Sequence, residues 1–176
     1  VVHPVFFPGG DIGRLAVAGT VNDLAMMGAT QVLALTCAVI LEEGFARSDL
    51  ERIQVSIRST CREAGAVIVT GDTKVMGRGE LDGIVLNTTG IGLTDRVVPD
   101  SGLRPGDRIL VTGTMGDHGF AIMALRKGLE LEGDLRSDVA PLNDLIGRLL
   151  DSGADVKFMR DPTRGGLAGV LADLVE

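Results

Sequence analysis

The chain has no tryptophan, no tyrosine and only five phenylalanines in 176 residues. Base stacking needs aromatic platforms. The net charge is −7, with no block of positive charge to meet a phosphate backbone. A nucleic-acid partner is therefore not expected. Histidine and cysteine are equally sparse, at two each. Cys37 and Cys61 lie far apart and form neither a disulfide framework nor a CxxC pair, and a zinc or soft-metal site has too few ligands. Both cysteines read as small buried hydrophobes. The longest apolar run, Val32 to Leu41, is ten residues with Thr36 inside it, too short to cross a bilayer. No signal peptide is readable. These absences together point to a reducing, cytoplasmic setting with no membrane partner.

Apolar residues make up 45% of the chain and glycines number 25, many of them in short clusters between periodic segments. That combination suits an α/β protein with tight strand–helix turns. Residues 1–7 read as a strand interrupted by Pro4. Asp11 is placed to cap a helix running to Met27, with Gly28 beyond it. Gln31 to Leu41 is a strand apolar on both faces, which implies burial on both sides. Ser48-Asp49-Leu50-Glu51 is a capping box opening a helix that ends at Gly65. Val67 to Thr70 is a short buried strand, followed at once by Gly71-Asp72-Thr73-Lys74, and Ile84 to Leu93 is another strand. The order β-α-β-α-β-β suggests a split-βαβ, ferredoxin-like sandwich over residues 1–100.

Residues 101–176 form a second unit, the front part of a larger α/β domain. It holds a strand at Ile109-Leu110-Val111 and a glycine-rich turn from Gly113 to Gly119 leading into a helix to Lys127. A polar loop, Asp134 to Pro141, precedes a helix from Leu142 to Leu150. The loop Met159 to Gly166 then opens a last helix. Neither end carries an element boundary, so the chain reads as a piece of a longer one.

Three carboxylates stand in small or hydroxylated company: Asp23 on the Gly19-Thr20-Val21-Asn22-Asp23 helix face, Asp72 after a strand, and Asp161 before Pro162. Carboxylates with few histidines or cysteines suit a hard cation such as Mg²⁺, which also takes phosphate oxygens and water. Each of the three also reads, singly, as a turn or helix cap. Lys74 lies beside Asp72, where it could bind phosphate or act as an acid–base group; a solvated lysine is the alternative. Arg160 and Arg164 flank Asp161 and can pair with it or clamp an anion. His118 in its glycine-rich turn reads as a hydrogen-bonding residue more readily than a catalytic one. The Gly113–Gly119 turn has the context of an anion site at a helix N-terminus, but Asp117 would repel a phosphate there.

Val21-Asn22-Asp23-Leu24-Ala25, Gly71-Asp72-Thr73-Lys74-Val75, Gly116-Asp117-His118-Gly119 and Met159-Arg160-Asp161-Pro162-Thr163-Arg164-Gly165-Gly166 resemble, in this order, the HypE family of NiFe-hydrogenase maturation proteins. That family belongs to the aminoimidazole ribonucleotide synthetase-like superfamily of ATP-utilising proteins. The resemblance covers essentially the whole chain. It implies a first domain that dimerises through a barrel-like sheet, an α/β second domain, and ATP near the dimer interface. Mg²⁺ would sit on Asp23, Asp72 and Asp161. Asn22, Asp23, Gly71, Asp72, Thr73 and Arg164 would hold the nucleotide, and Lys74 would polarise or deprotonate a carboxamide. The implied reaction is ATP-dependent dehydration of an S-carbamoyl group on a C-terminal cysteine to a thiocyanate, the donor of the hydrogenase cyanide ligands. The implied partners are a second copy, a carbamoyltransferase and an iron-carrying scaffold complex. At its ends the chain departs from the pattern: a family Asp on a glycine-rich arm before Val1, the rest of the second domain and the terminal cysteine are outside it. Another ATP-dependent synthetase or kinase of the superfamily, or a non-enzymatic docking module, would share the commoner motifs. Lys74 and the Arg-Asp-Pro-Thr-Arg-Gly-Gly loop argue against the first, and Mg²⁺-dependent nucleotide binding would argue against the second.

Overall fold

The computed structural model describes residues 2–99, 101–129, 133–163 and 165–174. It opens on a small antiparallel ribbon of β1 (Phe6–Phe7) and β2 (Gly10–Asp11). The long first strand expected over residues 1–7 is not formed: only two residues pair, since Pro4 supplies no N–H to a ladder. α1 (Ile12–Met26) starts as the sequence dictates. The Asp11 carboxylate accepts from the amides of Gly13 (2.7 Å) and Arg14 (3.0 Å), and Gly28 turns the chain away at φ 89°.

The main sheet has three strands in the order β4–β3–β5. β3 (Gln31–Glu42) is central, parallel to β4 (Ile68–Met76) and antiparallel to β5 (Ile84–Leu93). The mixed α/β class holds. The split-βαβ sheet, however, lacks its first strand, which is spent on the ribbon. α2 (Arg47–Glu63) makes the crossover from β3 to β4. Its N-cap is Ala46, two residues before the expected capping Ser48, with no side-chain cap; Arg47 and Asp49 instead pair along the surface with Glu51 and Arg52.

Both helices lie on one face of the sheet. Val17 and Val21 of α1 close over Leu35, with Cys61 and Ala64 completing that cluster. Ile12, Leu41, Ile53 and Ile84 form a second cluster beside it. α1 sits close on β5 because Gly90 has no side chain: a Cβ there would meet Leu24, Thr20 and Leu35 at 2.8–3.0 Å. Side chains alternate along a strand. Leu35, Cys37, Val39 and Leu41 therefore face the helices, and Thr36, Ala38 and Ile40 face away. The expected burial of β3 on both sides is met on one side only within this chain.

Two further expectations are corrected. The stretch from Val67 is not a short buried strand ending at Thr70. β4 runs nine residues, through Gly71-Asp72-Thr73-Lys74, as an exposed edge. The connection from β4 to β5, which passes the end of β3, is held by Glu42, whose carboxylate accepts from the amides of Gly79 (2.7 Å) and Gly83 (3.0 Å).

In the second unit, Ile109-Leu110-Val111 is not a strand; the residues are exposed and in no regular element, with no neighbouring strand among the described residues. Three helices follow, α3 (Asp117–Lys127), α4 (Asn143–Asp151) and α5 (Gly166–Asp173). No described helix is long and apolar enough to cross a membrane.

Candidate functional site

Asp23 projects from α1 between two buried neighbours of the core stripe, Val21 and Ala25. The small-residue face around it is only partly open. Thr20 is taken up by β5, its hydroxyl 2.6 Å from that of Thr88, which donates to the Ala16 carbonyl. Gly19 has open space beside it. The Asp23 carboxyl is held above the ordinary carboxylate range, first by partial burial and then by the charge of Asp161. Asp161, half-buried in the loop between α4 and α5, lies near enough to α1 for its charge to reach Asp23. Two carboxylates near enough to disfavour each other's charge are what a hard divalent cation relieves, with phosphate oxygens and water filling its remaining positions. The donor set fits Mg²⁺.

Asp72 and Lys74 are elsewhere. Their strand partners are Ala38 and Ile40, on the sheet face turned away from α1. Both are exposed, and the Asp72 carboxylate accepts from the Thr73 amide at 2.8 Å. Asp23, Asp72 and Asp161 therefore do not share one cleft within a single chain. Among the described residues no group of three acidic, histidine or cysteine side chains is arranged to hold an ion. Gly71 has a packing reason to be glycine, because a Cβ there would run into the Cys37 carbonyl. Arg164 lies outside the described residues. Arg160 pairs with Asp173 of α5 at 2.8 Å, across the loop, and no ion pair joins it to Asp161.

Asn22 has contacts that the sequence did not signal. Its side-chain amide donates to the Ala140 carbonyl (3.0 Å) and accepts from the Leu142 amide (2.8 Å). The expected polar loop 134–141 is a strap lying along the first unit. The Ser137 amide donates to the Pro8 carbonyl (2.8 Å), and Arg14 Nε donates to the Val139 carbonyl (3.0 Å). Asn143 donates to the carbonyls of Ala64 (2.9 Å) and Thr30 (3.3 Å). His118 belongs to this packing: Nδ1 is 2.9 Å from Ser137 Oγ, and the ring meets Phe7 edge-on at 5.3 Å. Burial pushes its pKa down, and Asp138 opposes that. At the start of α3 the Asp117 carboxylate accepts from the Thr114 hydroxyl (2.6 Å), so this helix N-terminus already has an anion beside it.

The family models agree with this architecture. Residues 1–94 match the N-terminal domain of AIR synthase related protein, and residues 104–176 match its C-terminal domain. The chain belongs to the AIR synthase-related family. Within that family it is 51% identical over 176 residues to the carbamoyl dehydratase HypE of Cupriavidus necator, covering 99% of this chain and 50% of that protein. It also matches the crystal structure of the hydrogenase maturation protein HypE in complex with ATP, at 51% identity and TM-score 0.93, over 98% of this chain and 52% of that one. A HypE–HypF complex matches at 51% identity and TM-score 0.94, over 98% of this chain and 57% of the other. The chain spans about half the length of the curated relatives it matches. The resemblance to HypE drawn from four short motifs thus extends along nearly the whole chain.

Proposed function

We propose that this chain is part of an ATP-dependent carbamoyl dehydratase of hydrogenase maturation, acting in the cytoplasm on an S-carbamoyl group carried by the protein's own terminal cysteine. The observation that carries the reading is 51% identity to a carbamoyl dehydratase along 99% of the chain. Asp23 and Asp161 hold Mg²⁺. ATP supplies the chemistry an amide oxygen lacks, since phosphorylation turns it into a good leaving group; positioning and charge stabilisation then account for most of the rate. Asp72 and Lys74 serve from the other side of the sheet. A second copy covering the outer face of β4–β3–β5, where Ile91 and Ile40 lie, lets one chain's Asp72 and Lys74 complete the site of the other. Lys74 polarises the carboxamide. Gly71 and Thr73 lie along the same edge, the Thr73 amide being held by the Asp72 carboxylate, and Arg164 is a clamp for phosphate oxygens. The partners are a carbamoyltransferase, in keeping with a HypE–HypF complex among the similar structures, and an iron-carrying scaffold that receives the cyano group.

The test uses the full-length protein with the carbamoyltransferase, carbamoyl phosphate and ATP, followed by intact mass spectrometry. One carbamoyl group is gained and one water is then lost at the terminal cysteine. Asp23→Asn slows the loss of water on the order of a hundredfold or more, as removal of several kcal/mol of charge stabilisation requires. A wild-type rate in that variant, or an adduct on Cys37 or Cys61, defeats the reading. Both of those thiols are buried, with pKa values raised by burial.

A further inference from the structure

Asp23 and Asp161 come from different halves of the chain, and their closeness has to be built. α1 carries Asp23 directly. Asp161 stands about twenty positions beyond the strap, after α4 and a loop. The strap is where the second half is fastened to the first. Four successive attachments run along it: Pro8 to Ser137, Arg14 to Val139, Asn22 to Ala140 and Leu142, and Asn143 to Thr30 and Ala64. Asn22 is the only one of these side chains adjacent in sequence to Asp23. Its amide spends a donor and its acceptor on the strap backbone. Each bond is to a main-chain group, so it fixes the path of the strap as well as a side chain. Asn143, the first residue of α4, fastens that helix to the residues just beyond the ends of α1 and α2. Since α4 leads to the Asp161 loop, the placement of α4 sets where that loop lies.

We infer that Asn22 is a positioning residue: it pins residues 140–142 to α1 so that the second unit carries Asp161 to Asp23, and it does not itself hold the nucleotide. The inference rests on the proposed role of Asp23 and Asp161 as the Mg²⁺ pair. It reassigns Asn22, which the family resemblance alone places among the nucleotide ligands.

Two variants of the full-length protein test it, Asn22→Ala and Asn143→Ala. Two measurements are made on each: hydrogen exchange of the 137–143 amides without nucleotide, and the Mg²⁺ concentration that half-saturates ATP binding. Asn143 bonds the Thr30 and Ala64 carbonyls beyond the C-terminal ends of α1 and α2, and the family resemblance does not place it among the nucleotide ligands, so it reports on the fastening alone. Both variants should exchange these amides about tenfold faster or more, and both should need about tenfold more Mg²⁺. Unchanged exchange in Asn22→Ala with ATP binding lost would make Asn22 a direct ligand and overturn the inference. So would faster exchange in both variants with the Mg²⁺ requirement unmoved. If Asn22→Ala does not fold, Asn22→Ser, which keeps a shorter hydroxyl, and Asn143→Ala carry the same decision. Failure of the functional reading is separable: wild-type Mg²⁺ dependence in Asp23→Asn would remove the metal pair while leaving the exchange result intact.

Discussion

The two halves of the molecule contain similar material and make different use of it. In the first, Val17, Val21, Leu35, Ile53 and Ile84 are withdrawn almost completely from water between two helices and a sheet. In the second, Ile109 is 62% and Leu110 80% exposed, although Ile-Leu-Val reads as a strand just as clearly as β3 does. The difference is the neighbour. A strand is made by the chain beside it, and β3 has β4 and β5, whereas Ile109-Leu110-Val111 has no such neighbour among the described residues. β-propensity describes how well a side chain fits a pleated surface, and without the surface it decides little.

The largest effect that can break this contrast is in the core. Ile53→Ala in the 176-residue chain should cost about 2–5 kcal/mol in equilibrium urea unfolding. Leu110→Ala should change it by less than about 0.5 kcal/mol. Equal costs would mean that the halves are packed alike. Next is the uncapped start of α2. Ala46 has extended backbone (φ −64°, ψ 126°) and no side chain to meet the first amides of the helix. Ala46→Asp should stabilise the chain by about 1 kcal/mol, read from the same unfolding curves. No gain would show that water already satisfies those amides at no cost.

The smallest effect is at the site and has the opposite sign from ordinary active-site damage. Asp23's pKa is raised above 3.8 in the folded chain. The folded state then binds its proton more tightly than the unfolded state does. Folding stability falls as pH rises through 3.8 and stays lower above the folded-state pKa. Asp23→Asn should therefore stabilise the metal-free protein at pH 7 and leave it unchanged well below pH 3.8, measured as thermal unfolding at both pH values. Destabilisation at pH 7 would mean that Asp23 has a favourable partner in the fold. A gain in stability together with a loss of turnover is the expected mark of a carboxylate kept for function.

Much of the first half was legible because its signals are local. Asp11, Gly28 and the run from Ile84 to Leu93 each announce an element within a few residues, and each element forms there. The Ser48 box failed because a cap needs the chain to leave the helix at that residue, and here two more positions, Arg47 and Ser48, are helical. Nothing local distinguishes the strap at 137–143 from a solvated loop. Its partners lie more than a hundred residues away, apart from His118 and Ala64, and only Val139 and Leu142 within a polar stretch hint at packing. The candidate site divides the same way. That Asp23, Asp72 and Asp161 are unusual could be read from their surroundings. That Asp72 faces away from α1 depends on the parity of a strand register, and that the charge of Asp161 reaches Asp23 depends on the path of the strap and α4; no spacing within the sequence discloses either.

The connection between β4 and β5 contains Gly77-Arg78-Gly79, the kind of amide-rich turn that wraps around an anion. Here the anion is internal. Glu42 reaches in from the neighbouring strand, and its pKa is drawn down by the amides of Gly79 and Gly83, with Arg78 adding to the effect. The seat has a resident, tethered to the same molecule, so a dissolved phosphate meets a competitor that never diffuses away.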